Sequence, residues 1–300
     1  MAALELWPGG FRLERRAGAG AELAVRIGGE GPPLVLLHGF PQTHAIWHRV
    51  APLLAQRYRL VMPDLRGYGD SAKPPSDAPH LPYSKRAMAA DIVALMRGLG
   101  YERFDLCGHD RGGRVAHRLA LDHPEAVRRL MVLDISPTAT MYARTDRAFA
   151  QAYYHWFFLI QPAPLPETLI GADPLFYLRA KLGGWGSQGL SLFDRRALAE
   201  YERCFTPEAI HAMCEDYRAA ASVDLEHDAA DAAAGRRLRC PLRVLWGERG
   251  VVHRLFSPVA DWQEVSEAPV SGRTAPGGHY IPEESPGLLA EEVEAHFPRV

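Results

Sequence analysis

Apolar residues along the chain fall into short runs separated by stretches with helical spacing. Pro33-Leu-Val-Leu-Leu37 is a continuous apolar run, the pattern of a strand covered on both faces. Arg59-Leu-Val-Met62, the run beginning at Phe104, Leu130-Met-Val-Leu133 and Leu242-Arg-Val-Leu-Trp246-Gly247 repeat the pattern. Phe11 to Ile27 predicts one or two opening strands interrupted at Gly18-Ala-Gly20, and Val270 to Thr274 predicts a weak last strand. Between these runs, helical periodicity covers Ala45–Gln56, Tyr83–Leu99 (Met88, Ile92, Leu95 and Met96 on one face), the stretch from Gly112 to Asp122, and Pro286–Phe297. Strand and helix therefore alternate, which predicts a mostly parallel central sheet with helices on both faces.

From about Ser136 to Asp224 the strand pattern stops. Aromatic residues crowd in, among them Tyr153, Tyr154, His155, Trp156, Phe157, Phe158, Trp185, Tyr201 and Tyr217, and prolines and glycines separate helical pieces. The expected organisation is a core in two parts, residues 1–135 and 225–300, with a helical cap inserted at 136–224.

The chemistry concentrates where the Phe104 strand meets the next helix. Gly108-His109-Asp110-Arg111-Gly112 is a sharp strand-to-helix elbow with aspartate at its centre. Small residues on both sides let the backbone push that side chain into a pocket, with the amides of the following helix facing whatever it attacks. A carboxylate needs no base to act as a nucleophile at neutral pH. It displaces a leaving group from saturated carbon and becomes an ester, which water must then hydrolyse with a base. The elbow alone fits a helix-capping aspartate equally well. Position separates the two readings: Phe40, Asp110 and Asp134 all follow apolar runs, at the carboxyl ends of strands where function gathers in parallel sheets. Two acids compete as partner of the late histidine in Gly277-Gly278-His279: Asp134 and Glu248.

Composition narrows the rest. The chain has 300 residues, a formal net charge of −2 and no long run of one sign, so neither a nucleic-acid groove nor a membrane surface is expected. Met1 to Gly10 reads as neither signal peptide nor anchor, and no apolar run nears the ~20 residues needed to span a bilayer. Cys107, Cys204, Cys214 and Cys240 have no metal or redox spacing, which suits a cytoplasmic protein with reduced thiols.

His38-Gly39-Phe40, Asp64-Leu-Arg-Gly-Tyr-Gly-Asp-Ser71, the elbow and Gly277-Gly278-His279 together resemble the α/β-hydrolase fold. Within that superfamily, aspartate nucleophiles belong to haloalkane dehalogenases, epoxide hydrolases and fluoroacetate (haloacetate) dehalogenases. The first two usually carry Trp after the nucleophile. Here His109-Asp110-Arg111-Gly112-Gly113-Arg114 resembles the fluoroacetate dehalogenase elbow, and residues three apart share a helix face, so Arg111 and Arg114 reach one substrate carboxylate. Tyr154-His155-Trp156 and Asp216-Tyr217-Arg218 resemble that family's halide-binding segments, implying His155, Trp156 and Tyr217 as ligands. The same resemblance, in Val132-Leu133-Asp134-Ile135, selects Asp134 over Glu248.

The expected mechanism follows. Asp110 attacks the α-carbon, and His279, oriented by Asp134, activates water. The Phe40 and Arg111 amides form the oxyanion hole, and Trp185 lines the entry or pocket. No metal or organic cofactor is required. A homodimer is implied by resemblance alone. Asp64 and Asp70 belong to a structural turn. The competing readings are an epoxide hydrolase with Tyr153, Tyr154 or Tyr217 as acids, a neutral-haloalkane dehalogenase, and a non-catalytic receptor for a small carboxylate.

Overall fold

The computed structural model describes residues 6–77 and 79–297. Residues 1–5 of the leader-free N-terminal reading lie outside the described residues. Eight strands form one sheet: β1 Arg12–Ala17, β2 Glu22–Gly28, β3 Pro33–Leu37, β4 Arg59–Pro63, β5 Phe104–His109, β6 Val127–Leu133, β7 Leu242–Gly247 and β8 Val270–Ala275. Their order is β1-β2-β4-β3-β5-β6-β7-β8. The glycine-broken opening segment becomes the antiparallel pair β1–β2, β2 runs antiparallel to β4, and every later pairing is parallel.

The continuous apolar runs are explained by burial on both sides. All residues of β3 and β5 are buried. Val35, Leu37, Leu106, Leu130 and Val132 pack into one cluster, while the alternating Leu34, Leu36, Cys107, Met131 and Leu133 pack into another on the opposite face.

Helices before the middle of the chain are α1 Ala51–Leu54, α2 Lys85–Gly98 and α3 Arg111–Asp122. The helix expected over Ala45–Gln56 is instead a 3₁₀ turn, His44–Trp47, followed by the short α1. Pro52 is the reason: in a continuous helix its ring would meet the carbonyl of His48, whereas in the first turn of α1 its missing N–H costs nothing. α2 begins later than Tyr83 because the Ser84 hydroxyl caps it, accepting from the Ala87 N–H at 3.2 Å.

Between β6 and β7 the chain is helical: α4 Thr138–Ala143, α5 Arg147–Ala152, α6 Tyr154–Leu159, α7 Leu165–Ala172, α8 Pro174–Leu182, α9 Arg195–Cys204, α10 Pro207–Ala220 and α11 Val223–Ala233. The chain closes with α12 Val251–Leu255, α13 Pro258–Glu264, α14 Ile281–Glu284 and α15 Pro286–His296. Among the described residues no helix is long and apolar enough to cross a membrane.

Candidate active site

Four parallel strands deliver their chain ends to one place. β3 leads to Phe40, β5 to Asp110, β6 to Asp134 and β8 to His279. Asp110 sits at φ 47°, ψ −115°, a left-handed conformation that side chains disfavour. The elbow is held there by close backbone approach. A Cβ on Gly108 would lie 2.5 Å from the Gly112 carbonyl oxygen, and one on Gly112 would lie 2.4 Å from that of His38.

Asp110 is buried, and burial alone would push its carboxyl pKa upward. The charges of His279, Arg111 and Arg114 outweigh that and hold it below the ordinary value. The side chain is therefore an anion at neutral pH. The Phe40 N–H donates to its Oδ1 at 2.9 Å, which leaves Oδ2 free of that bond. The Arg111 amide opens α3, where helix N–H groups lack intrahelical acceptors.

His279 Nδ1 donates to Asp134 Oδ2 at 2.6 Å, and the Gly247 N–H donates to Asp134 Oδ1 at 3.0 Å. Burial works against a charged His279. The hydrogen bond and charge of Asp134, with the charge of Asp110, raise its pKa above the usual histidine value. Glu248 is exposed and lies 3.7 Å from Arg249, while the Nδ1 of His279 is taken by Asp134. His109 fixes the loop from the other side by donating from Nε2 to the His279 carbonyl at 2.8 Å, and burial and the His279 charge lower its pKa to about 3.

The two arginines are held by different means. Arg111 is buried and forked onto Asp216 of α10: Nε donates to Oδ2 at 2.8 Å and Nη2 to Oδ1 at 2.8 Å. Its guanidinium lies 4.1 Å from the Tyr217 ring centroid, and Nη1 has no partner among the described residues. Arg114 donates from Nη1 to Thr138 Oγ1 at 2.8 Å and lies 4.7 Å from the Trp156 ring centroid. Its Nε has no partner among the described residues. Each guanidinium thus keeps a buried nitrogen with no partner among the described residues, and both charges act on Asp110.

His155 stacks on Phe40 with ring centroids 5.8 Å apart, and Tyr217 meets the same Phe40 edge-on at 5.3 Å. Both lack partners at His155 Nδ1 and the Tyr217 hydroxyl among the described residues. Burial and the Lys181 charge keep His155 neutral; burial and the Asp110 charge keep Tyr217 protonated. Trp156 is also part of a packed aromatic group with Tyr142, Phe149 and Tyr153, at 4.9, 5.4 and 6.0 Å. Trp185 is half-buried, 4.7 Å from His155 and 5.3 Å from His279 between ring centroids. Its carbonyl accepts the His279 N–H at 3.1 Å.

The model of the alpha/beta hydrolase fold matches residues 32–201. A fluoroacetate dehalogenase from Burkholderia sp. is 50% identical over 270 residues, 88% of each chain. The chain belongs to the α/β-hydrolase family. A soluble epoxide hydrolase from Corynebacterium sp. strain C12 is 35% identical to this α/β hydrolase, over 90% of it and 91% of the relative. A solved α/β hydrolase structure from Nostoc sp. PCC 7120 superposes with a TM-score of 0.93 at 52% identity, covering 97% of this chain and 99% of that one.

Several residues of this α/β hydrolase's site were not singled out from sequence. Asp216, Lys85 and Tyr68 form the anchor under Arg111: the Tyr68 hydroxyl donates to Asp216 Oδ2 at 2.6 Å, and Lys85 Nζ bonds Oδ1. A buried arginine requires a buried acid, so an arginine assigned to the pocket was itself the signal to search for Asp216. His109 and Thr138 gave no such signal. Asp64 and Asp70 sit in the turn expected for them. Asp64 accepts from the His44 N–H at 2.7 Å and the Asp70 N–H at 3.0 Å, and Asp70 pairs with Arg203. Asp70, Glu200 and Cys204 are the one metal-like group among the described residues, and Arg203 already bridges its two carboxylates.

Proposed function

We infer that this α/β hydrolase removes halide from haloacetates such as fluoroacetate and chloroacetate, producing glycolate through an aspartyl ester. The observation that carries the reading is the pair of buried donors without partners among the described residues, Arg111 Nη1 and Arg114 Nε, whose charges act on an ionised Asp110. Two such donors suit a substrate carboxylate and offset its repulsion from the nucleophile. The 50% identity to a fluoroacetate dehalogenase supports the same reading.

Asp110 Oδ2 forms a bond to the α-carbon as the carbon–halogen bond breaks, and the bonding pair leaves with the halide. The neutral His155 imidazole, the Trp156 indole and the Tyr217 phenol are the donors for that ion. Water then attacks the ester carbonyl carbon while His279 takes its proton, with Asp134 stabilising the imidazolium. Charge collecting on Oδ1 meets the Phe40 and Arg111 amides. The ester bond breaks, glycolate leaves, and one proton is released per halide. Residues 136–224 act as the cap that closes this site from water.

Fluoride and chloride release from the two haloacetates is expected from the wild type and is expected to vanish in Asp110→Asn. An enzyme that releases no halide but opens a styrene-oxide-like substrate would be an epoxide hydrolase instead. In that case Tyr153 and Tyr217 are the better-placed acids, since Tyr154 is 46% exposed.

We also propose a homodimer. Leu165, Leu169 and Phe176, on the outer surface of α7 and α8, are 50%, 57% and 71% exposed, a patch suited to a second copy. Sedimentation should give a dimer that Phe176→Asp converts toward monomer; a monomeric wild type at micromolar concentration would remove the proposal.

A further inference from the structure

Lys181, near the end of α8, is 6% exposed. No carboxylate among the described residues pairs with it, although lysine is seldom buried without an acid. Its ammonium instead faces three rings: Nζ lies 3.8 Å from the Tyr154 centroid, 5.5 Å from Tyr177 and 5.6 Å from Trp185. Burial alone lowers its pKa to about 8, so most of it is charged at neutral pH. That charge is felt at His155, where it disfavours a second cation.

The ring of Trp185 neighbours both this charge and the chemistry. Lys181 Nζ lies 5.6 Å from its centroid, and the His155 and His279 rings lie 4.7 and 5.3 Å from it. Aromatic faces hold an ammonium without neutralising it, so Lys181 remains available to an anion. The haloacetate reaction brings in one anion and sends out two.

We propose that Lys181 and the surrounding faces of Tyr154, Tyr177 and Trp185 form a second subsite for small monovalent anions, outside the pocket of Arg111 and Arg114. It receives the carboxylate of an incoming haloacetate, or the departing halide, beside Trp185. This rests on the haloacetate reading for its physiological ligand, but not for the site itself.

The test uses the full-length wild type with Lys181→Met, which keeps an apolar stem among the rings, and Lys181→Arg, which keeps the charge. Two quantities are read: KM and kcat for chloroacetate and fluoroacetate, and quenching of tryptophan fluorescence by bromide and by acetate. Lys181→Met should raise KM about tenfold while kcat changes less than about twofold, and Lys181→Arg should recover most of the loss. Bromide or acetate quenching should need correspondingly more anion in Lys181→Met. Weakened acetate quenching with unchanged bromide quenching assigns the subsite to the entering carboxylate; the reverse assigns it to the leaving halide; both outcomes support it. Unchanged KM and unchanged quenching, with only a lower melting temperature, would make Lys181 a packing residue and overturn the proposal. If the wild type releases no halide from any haloacetate, the functional reading fails, and the quenching comparison alone still decides the subsite.

Discussion

His279→Gln is expected to release one halide per chain from chloroacetate and then stop, with a carboxymethyl group left on Asp110. The two half-reactions make different demands. Alkylation needs only the carboxylate, which neighbouring cations already hold ionised. Ester hydrolysis needs a base, and His279 is the histidine bonded to Asp134. Glutamine keeps a polar side chain there but accepts no proton, so steady-state turnover should fall by about 10³-fold or more. Intact-mass measurement after mixing with substrate shows the trapped ester. Turnover near the wild-type rate would remove His279 from the mechanism, and absence of the first halide would place it in the alkylation step.

The charge coupling gives this step a timing. The Asp110 charge is one of the causes raising the His279 pKa. Esterification removes that charge, so the imidazole loses affinity for its proton when it must act as a base. In the wild type the second step should still slow as pH falls, because His279 is then increasingly protonated.

Asp216→Asn should produce the largest loss of stability. Asp216 is fully buried; burial alone would raise its pKa, and the Arg111 and Lys85 charges hold it well below the usual range. Removing one partner of such a cluster leaves buried charge uncompensated, which typically costs about 3–5 kcal/mol. For a chain of this size that lowers the melting temperature by roughly 5–8 °C. Arg111 would also lose its fork, so KM for haloacetates should rise by about 100-fold, a loss of the size seen when a buried charge pair is broken. Calorimetry and steady-state kinetics report the two effects separately. A lower melting temperature with unchanged KM would mean that Asp216 holds the fold but does not place Arg111.

The core was legible because burial on both faces leaves a direct record: Leu34 to Leu37 and Leu130 to Leu133 are apolar at every position because neighbouring residues serve opposite clusters. The elbow was legible because close approach at Gly108 and Gly112 demands a missing side chain. The residues that hold the site were harder to see. Asp216 lies 105 positions from Arg111 in the sequence, and His109 acts through a carbonyl of the His279 loop. Local periodicity carries no information about such partners. The Ala45–Gln56 helix was misread because one proline, Pro52, outweighed a run of favourable spacing.

The bond from Arg111 to Asp216 crosses from α3 of the sheet layer to α10 of the inserted helices. The two halves of the site are therefore not interchangeable parts. A chimera that exchanged the helices between β6 and β7 for those of another family member would strand Arg111 and Lys85 unless the donor also supplied an acid at the position of Asp216. Recombination among relatives should tolerate swapped surface helices, but only in sets that carry this acid along with its arginine.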